Sequence, residues 1–143
     1  MNLDVVTSDE RLRLWKELRK EIKDLSLDES FKKIIEFIEH TPVGTRTVDY
    51  YDSKSWPGPW EILFYGSFCT SSISLLIYHT LELTHPNIKD LKIYCVADTT
   101  DTYLLPVIDN HYVLNYNESM VNTLLEVEEY LEFKEEFDLR KLK

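Results

Sequence analysis

Between Phe68 and Leu83 the chain carries no proline or glycine, and no charge before Glu82. Ile73, Leu76, Ile77 and Leu81 recur there at helical spacing, while Leu75 and Tyr78 fall on another face. A helix apolar nearly all round is stable only when other elements cover every side of it. The rest of the chain must therefore wrap this segment, and Pro86 ends it.

What precedes it reads as two amphipathic helices. Thr7-Ser8-Asp9-Glu10 is a capping-box start, followed by Trp15, Leu18, Ile22 and Leu25. Ser26-Leu27-Asp28-Glu29 repeats that logic, with Phe31, Ile34, Ile35 and Ile38 as the buried stripe and a stop near Thr41-Pro42. Residues 43–55 are polar and β-prone. Trp56-Pro57-Gly58-Pro59-Trp60 then forms a rigid bend, after which Trp60 to Phe64 fits a helical turn closed by Gly66.

Beyond Pro86 the period changes. Leu91 to Val96 alternates as a half-buried strand, and Tyr103 to Ile108 is a second run whose Pro106 suggests an edge or a bulge. Asp109-Asn110 is a tight-turn pair, answered by a returning strand from His111 to Asn115. The tail is expected to be helical from Ser119, burying Val121, Leu124, Leu125 and Leu131 and exposing the acidic run Glu126–Asp138. The expected fold is α+β in one domain: helices over 1–41, a core over 56–117 in which the central helix packs on a small antiparallel sheet, and an acidic C-terminal helix within 118–143.

A formal net charge of −10 opposes binding to nucleic acid or to anionic membranes, and no apolar run reaches the length of a bilayer span. The N-terminus lacks the basic start and apolar stretch of a secretory signal, so a cytoplasmic site is expected. Two cysteines, Cys69 and Cys95, make no disulfide framework, and the four histidines are scattered away from both. No metal site and no cofactor is expected; a protein partner is.

Cys69 is the one candidate chemical centre. It opens the central helix, where unpaired N–H groups stabilise a thiolate and can hold an oxyanion. Against that stands the ordinary role of a small buried side chain, which is also the reading for Cys95.

The segment Pro59-Trp60-Glu61-Ile62-Leu63-Phe64-Tyr65-Gly66-Ser67-Phe68-Cys69 resembles the lead into the nucleophile of transglutaminase-like cysteine peptidases, and the strands over 103–115 resemble the two that follow it in that family. The resemblance spans roughly Trp56 to Asn117. It implies Cys69 as nucleophile, a base at Tyr103 (or Thr102 after a one-residue shift) and an orienting group at Asn115, at intervals of 34 and 12 residues. The family has histidine and aspartate at the last two positions. Tyrosine, with a pKa near 10, is a poor acceptor for a thiol proton. His111 is the alternative base, although the hairpin tip should lie roughly 15–20 Å from the thiol. His79, ten residues along the same helix, is about as far.

The expected function is a catalytically impaired transglutaminase-like domain that binds a protein or serves structurally, with Trp56 and Trp60 beside the Cys69 helix as a binding groove. The alternative is a cysteine hydrolase or acyltransferase with Cys69 as nucleophile. The Trp-Pro-x-Pro-Trp-Glu lead also resembles short tailed-bacteriophage proteins, which implies the host cytoplasm or the virion.

Overall fold

The computed structural model describes Leu3, residues 5–39, 41, 44, 48–117 and 120–141. Among these the order is α1 (Ser8–Ile22), α2 (Leu27–Ile38), α3 (Pro59–Tyr65), α4 (Thr70–Thr84), β1 (Leu91–Ala97), β2 (Thr102–Ile108), β3 (Tyr112–Val113), β4 (Asn122–Thr123), α5 (Leu124–Glu128) and β5 (Glu132–Phe137). The strands form one antiparallel sheet in the order β4-β3-β2-β1-β5. This is the α+β architecture expected, with the Cys69 helix packed on the sheet.

Both N-terminal caps form as the sequence indicates. The Thr7 hydroxyl accepts from the Glu10 N–H and the Ser26 hydroxyl from the Glu29 N–H, each at 3.2 Å. Trp15, Ile22, Phe31 and Ile34 are buried, and Trp15 donates its indole N–H to Thr80 on α4 at 2.9 Å. Pro42 and residues 43 and 45–47 lie outside the described residues; the rest of the β-prone stretch 43–55 holds no strand among the described residues and includes a 3-10 turn, Ser53–Ser55. No described helix is long and apolar enough to cross a membrane.

Alternation along β1 and β2 divides the core in two. Leu91, Ile93, Cys95, Leu104 and Ile108 join the large cluster beneath α4. Val96, Leu105 and Val107 join a second cluster on the opposite face, closed by Val113, Val127 and Leu131. Pro106 sits in an inner strand. It is tolerated there because β3 ladders only with Val107 and Ile108, leaving β2 unladdered on that side at residue 106. The Asp109-Asn110 turn has φ of 56° and 53°, the double left-handed geometry that such a pair favours.

The tail differs from expectation. Ser119 lies outside the described residues, α5 is a short helix that holds the start of the acidic run, and residues 132–137 of that run form the edge strand β5, paired with β1. Val121 and Leu125 are exposed, whereas Leu131 is buried as expected. Phe133 and Phe137 stand four apart, an interval that suits a helix. They anchor a strand because the register shifts between Cys95 and Val96, so the extra residue, Lys134, turns Phe133 onto the second cluster while Phe137 packs on the first.

Candidate functional site

Arg11 sets the approach to Cys69. Its buried guanidinium donates to the carbonyls of Leu63 (2.5 Å) and Phe64 (2.9 Å) at the C-terminal end of α3, and to those of Val6 (2.6 Å) and Leu3 (3.3 Å). A cation satisfied by helix-end carbonyls complements the dipole there. Gly66 closes α3 at φ +68°, and a Cβ on it would stand 2.8 Å from Arg11 Cζ. Glycine is required twice over, by conformation and by space.

The chain then enters α4 with Cys69 as the N-cap residue, one position earlier than a place inside the first turn. Its sulfur accepts the Ser72 N–H at 3.4 Å, and the Ser72 hydroxyl accepts the Cys69 N–H at 2.9 Å. This is a reciprocal capping box with a thiol in place of the usual hydroxyl. A cavity of about 310 Å³ opens beside it, lined by Gly44, Tyr50, Cys69, Thr70, Ser71, Asp101, Thr102 and Tyr103.

Two buried serines fasten α4 to β2. Leu104 N–H donates to Ser71 Oγ at 3.1 Å, and Ser74 Oγ donates to the Leu104 carbonyl at 2.7 Å. Leu104 thus faces α4, and Thr102, two residues back, shares that face. Tyr103 also borders the cavity, but its ring packs with the cluster on the opposite face. Burial, then the nearby Asp98 carboxylate, pushes its phenol up to about 12. The strand pleat therefore turns Thr102 toward the α4 side and the Tyr103 ring toward the opposite cluster.

Asn115 also reaches α4, but not through the sulfur. Its amide donates to the Thr70 carbonyl and to Ser74 Oγ, both at 2.9 Å, from a backbone with φ +68°. His111 is exposed at the hairpin tip, beyond the far end of β2, roughly 20 Å along the strand from Thr102. His79 faces Glu82 at 3.2 Å. It lines a separate cavity of about 290 Å³ with Trp56, Pro57 and Leu139. His40 lies outside the described residues. Among the described residues, no histidine lines the Cys69 cavity and no cluster of three or more His, Cys, Asp or Glu is arranged to hold a metal.

The two tryptophans do not share the Cys69 cavity. Trp56 donates to the Asp49 carbonyl at 2.6 Å and packs edge-on against Phe137, while Trp60 projects from α3 against Trp15 on α1. Cys95 is buried in β1, where burial raises its thiol. Sequence reasoning passed over Arg11, Ser71 and Ser74. A buried arginine one turn before Trp15, and serines within an otherwise apolar helix, were the available signals.

An apolar helix capped by Cys69 thus lies on an antiparallel sheet whose second strand crosses beside the cavity at the thiol. Solved structures similar to this chain in fold include forms of Legionella pneumophila LapG. The calcium-bound form superposes with a TM-score of 0.76 at 16% identity, covering 93% of this chain and 77% of that one. Another LapG structure gives 0.75 at 17% identity, with 92% and 76% covered, and the EGTA-treated form gives 0.75 at 17%, with 92% and 74%. Such a likeness establishes the fold. Neither a protein-family model nor a curated protein matches the sequence.

Proposed function

We propose that this chain is a catalytically impaired transglutaminase-like domain, and that it works as a protein-binding or structural module. The observation that supports this is the pleat of β2. The strand residue on the Cys69 side is Thr102, whose hydroxyl takes no proton from a thiol at neutral pH. Asn115 spends both amide hydrogens on α4. General-base assistance is worth about 10²–10⁴-fold, so the hydrolytic rate falls by that factor without it. The recess beside Cys69 then serves to receive a partner's side chain. A viral setting, in the host cytoplasm or the virion, rests on the Trp56–Glu61 resemblance alone.

One observation favours the alternative, a cysteine hydrolase or acyltransferase. The Cys69 sulfur sits at the start of a helix of 15 residues, with the Ser72 N–H directed at it, beside an open cavity. Both features suit an acyl-transfer nucleophile. The readings separate by assaying the protein on unstructured polypeptide and on activated esters, with Cys69→Ser as control. The binding reading expects no turnover that the substitution removes. Turnover lost with Cys69→Ser would establish the hydrolase.

A further inference from the structure

Lys16, Arg19, Lys20 and Lys23 follow at i, i+3, i+4 and i+7, so they share one face of α1 and its C-cap. In a chain of net charge −10, this stripe is a local reversal of sign. On the other flank of α1, Arg13 pairs with Glu10 and Glu17, and Glu21 with Lys33. Among the described residues the four cations of the stripe have no ion pair.

Arg19 is the telling member. Its guanidinium carbon lies 4.1 Å from the Trp15 ring centroid and 5.9 Å from that of Trp60. The other described arginines each donate to carbonyls or carboxylates: Arg11 at the end of α3, Arg13 to two glutamates, and Arg140 to the Ile88 and Lys89 carbonyls. Arg19 makes no such bond among the described residues, and its Nε is buried without an acceptor. A guanidinium fixed on two indoles keeps its fork in one orientation, the state that favours a bidentate carboxylate. Next to it, Trp60 and Phe64 stand one turn apart on α3 and are each 53% exposed. An apolar pair beside an unmatched cationic stripe is a surface with both halves of an anchor site.

We infer that the α1–α3 face, centred on Arg19 and Trp60, docks an acidic segment of a partner protein, with a carboxylate on Arg19 and an apolar side chain over Trp60 and Phe64. A protein segment fits better than a polyphosphate or a lipid surface. Four cations in a field of −10 are too few to offset repulsion from an extended anionic polymer or bilayer, whereas one or two carboxylates need only the local patch. This surface is separate from the Cys69 cavity and stands whether or not the thiol proves reactive.

The test uses fluorescence anisotropy of two labelled synthetic peptides, one of glutamates around a central leucine–phenylalanine pair, the other with each glutamate replaced by lysine. The full chain should bind the acidic peptide and not the basic one, with affinity falling as salt rises. Arg19→Gln and Lys16→Glu/Lys20→Glu should each weaken binding at least about tenfold. Trp60→Ala should do the same, and Cys69→Ser should leave binding unchanged. Circular dichroism melts identify any variant that fails to fold, and the exposed lysine pair keeps the test decisive in that case. Equal binding of both peptides, or acidic-peptide binding indifferent to the lysine pair, overturns the proposal. So does tighter binding to oligodeoxythymidylate or phosphatidylserine vesicles than to the acidic peptide. Self-association in sedimentation that the lysine pair abolishes would assign the face to a second copy instead, and equally overturns it.

Discussion

Asn115 Nδ2 lies 2.9 Å from Ser74 Oγ, and that hydroxyl passes its own proton to the Leu104 carbonyl at 2.7 Å. The second amide hydrogen goes to the Thr70 carbonyl, so the position must donate twice to acceptors. An ionised aspartate at this position would face two oxygens with no proton to offer. Asn115→Asp should cost about 2–3 kcal/mol at pH 7, the price of an unmatched partly buried carboxylate. The sign of its pH dependence follows. Repulsion raises the folded-state pKa above the unfolded value near 3.9. The penalty is therefore smallest below about pH 3.9, where the protonated carboxyl can still donate once, grows as pH rises toward the folded pKa, and is constant above it. Urea unfolding of the variant and wild type at several pH values checks this, and a loss independent of pH would contradict the donor assignment.

Arg11 and Gly66 are coupled by contact, since a Cβ at residue 66 meets the guanidinium at 2.8 Å. Arg11→Met leaves the carbonyls of Leu63 and Phe64 without their charged donor and should cost about 3 kcal/mol or more. Gly66→Ala should cost about 1–3 kcal/mol through its positive φ, plus the clash. The double variant should lose less than the sum, by about 0.5 kcal/mol or more, because the clash disappears with the guanidinium. Additive losses in denaturant titration would mean that the contact relaxes freely.

The capping geometry at Cys69 makes a stability prediction independent of chemistry. Serine is a better N-cap than cysteine and keeps the reciprocal bond to Ser72, so Cys69→Ser should melt within about 0.5 kcal/mol of wild type. Cys69→Ala removes the side-chain acceptor and should lose about 1 kcal/mol. If alanine and serine melt alike, the sulfur contributes nothing as a cap.

Trp15 and Trp60 touch edge to face at 5.3 Å, yet their energetic roles differ. Trp15 is fully buried and bonded to Thr80, so Trp15→Ala should cost about 3–5 kcal/mol. Trp60 is half exposed and should cost only about 1 kcal/mol, the size of an aromatic pair contact. Thermal melts compare the two directly. Equal losses would put Trp60 in the core.

The parts of this fold that depend on neighbours in sequence were legible. The Thr7 and Ser26 caps, the apolar α4, the Gly66 stop and the Asp109-Asn110 turn are each written within a few residues. What depends on distant pairing was not. The edge strand β5 follows from its ladder with β1, some forty residues away, and its bulge disguises strand alternation as a helical interval. At the site, Cys69 and Asn115 were found at α4, but the residue facing the thiol side hung on a single step of β2 register. One residue of slip exchanges the two faces of a strand, which separates Thr102 from Tyr103. The buried serines were invisible as connectors because their partner is the Leu104 backbone, about thirty residues on.

The central proposal, that Thr102 and not a base borders the cavity on the Cys69 side, is tested most directly by the rate of iodoacetamide alkylation at Cys69 near pH 6.5, measured by mass spectrometry. The protein, Thr102→His and Tyr103→His should be compared, each carrying Cys95→Ala. The account predicts that Cys69 reacts no faster than a free cysteine thiol in the parent. The rate should rise about tenfold or more in Thr102→His, where an imidazole can take the thiol proton, and stay unchanged in Tyr103→His. A parent thiol already alkylated tenfold faster than free cysteine, or acceleration by histidine at 103 and not at 102, would contradict it.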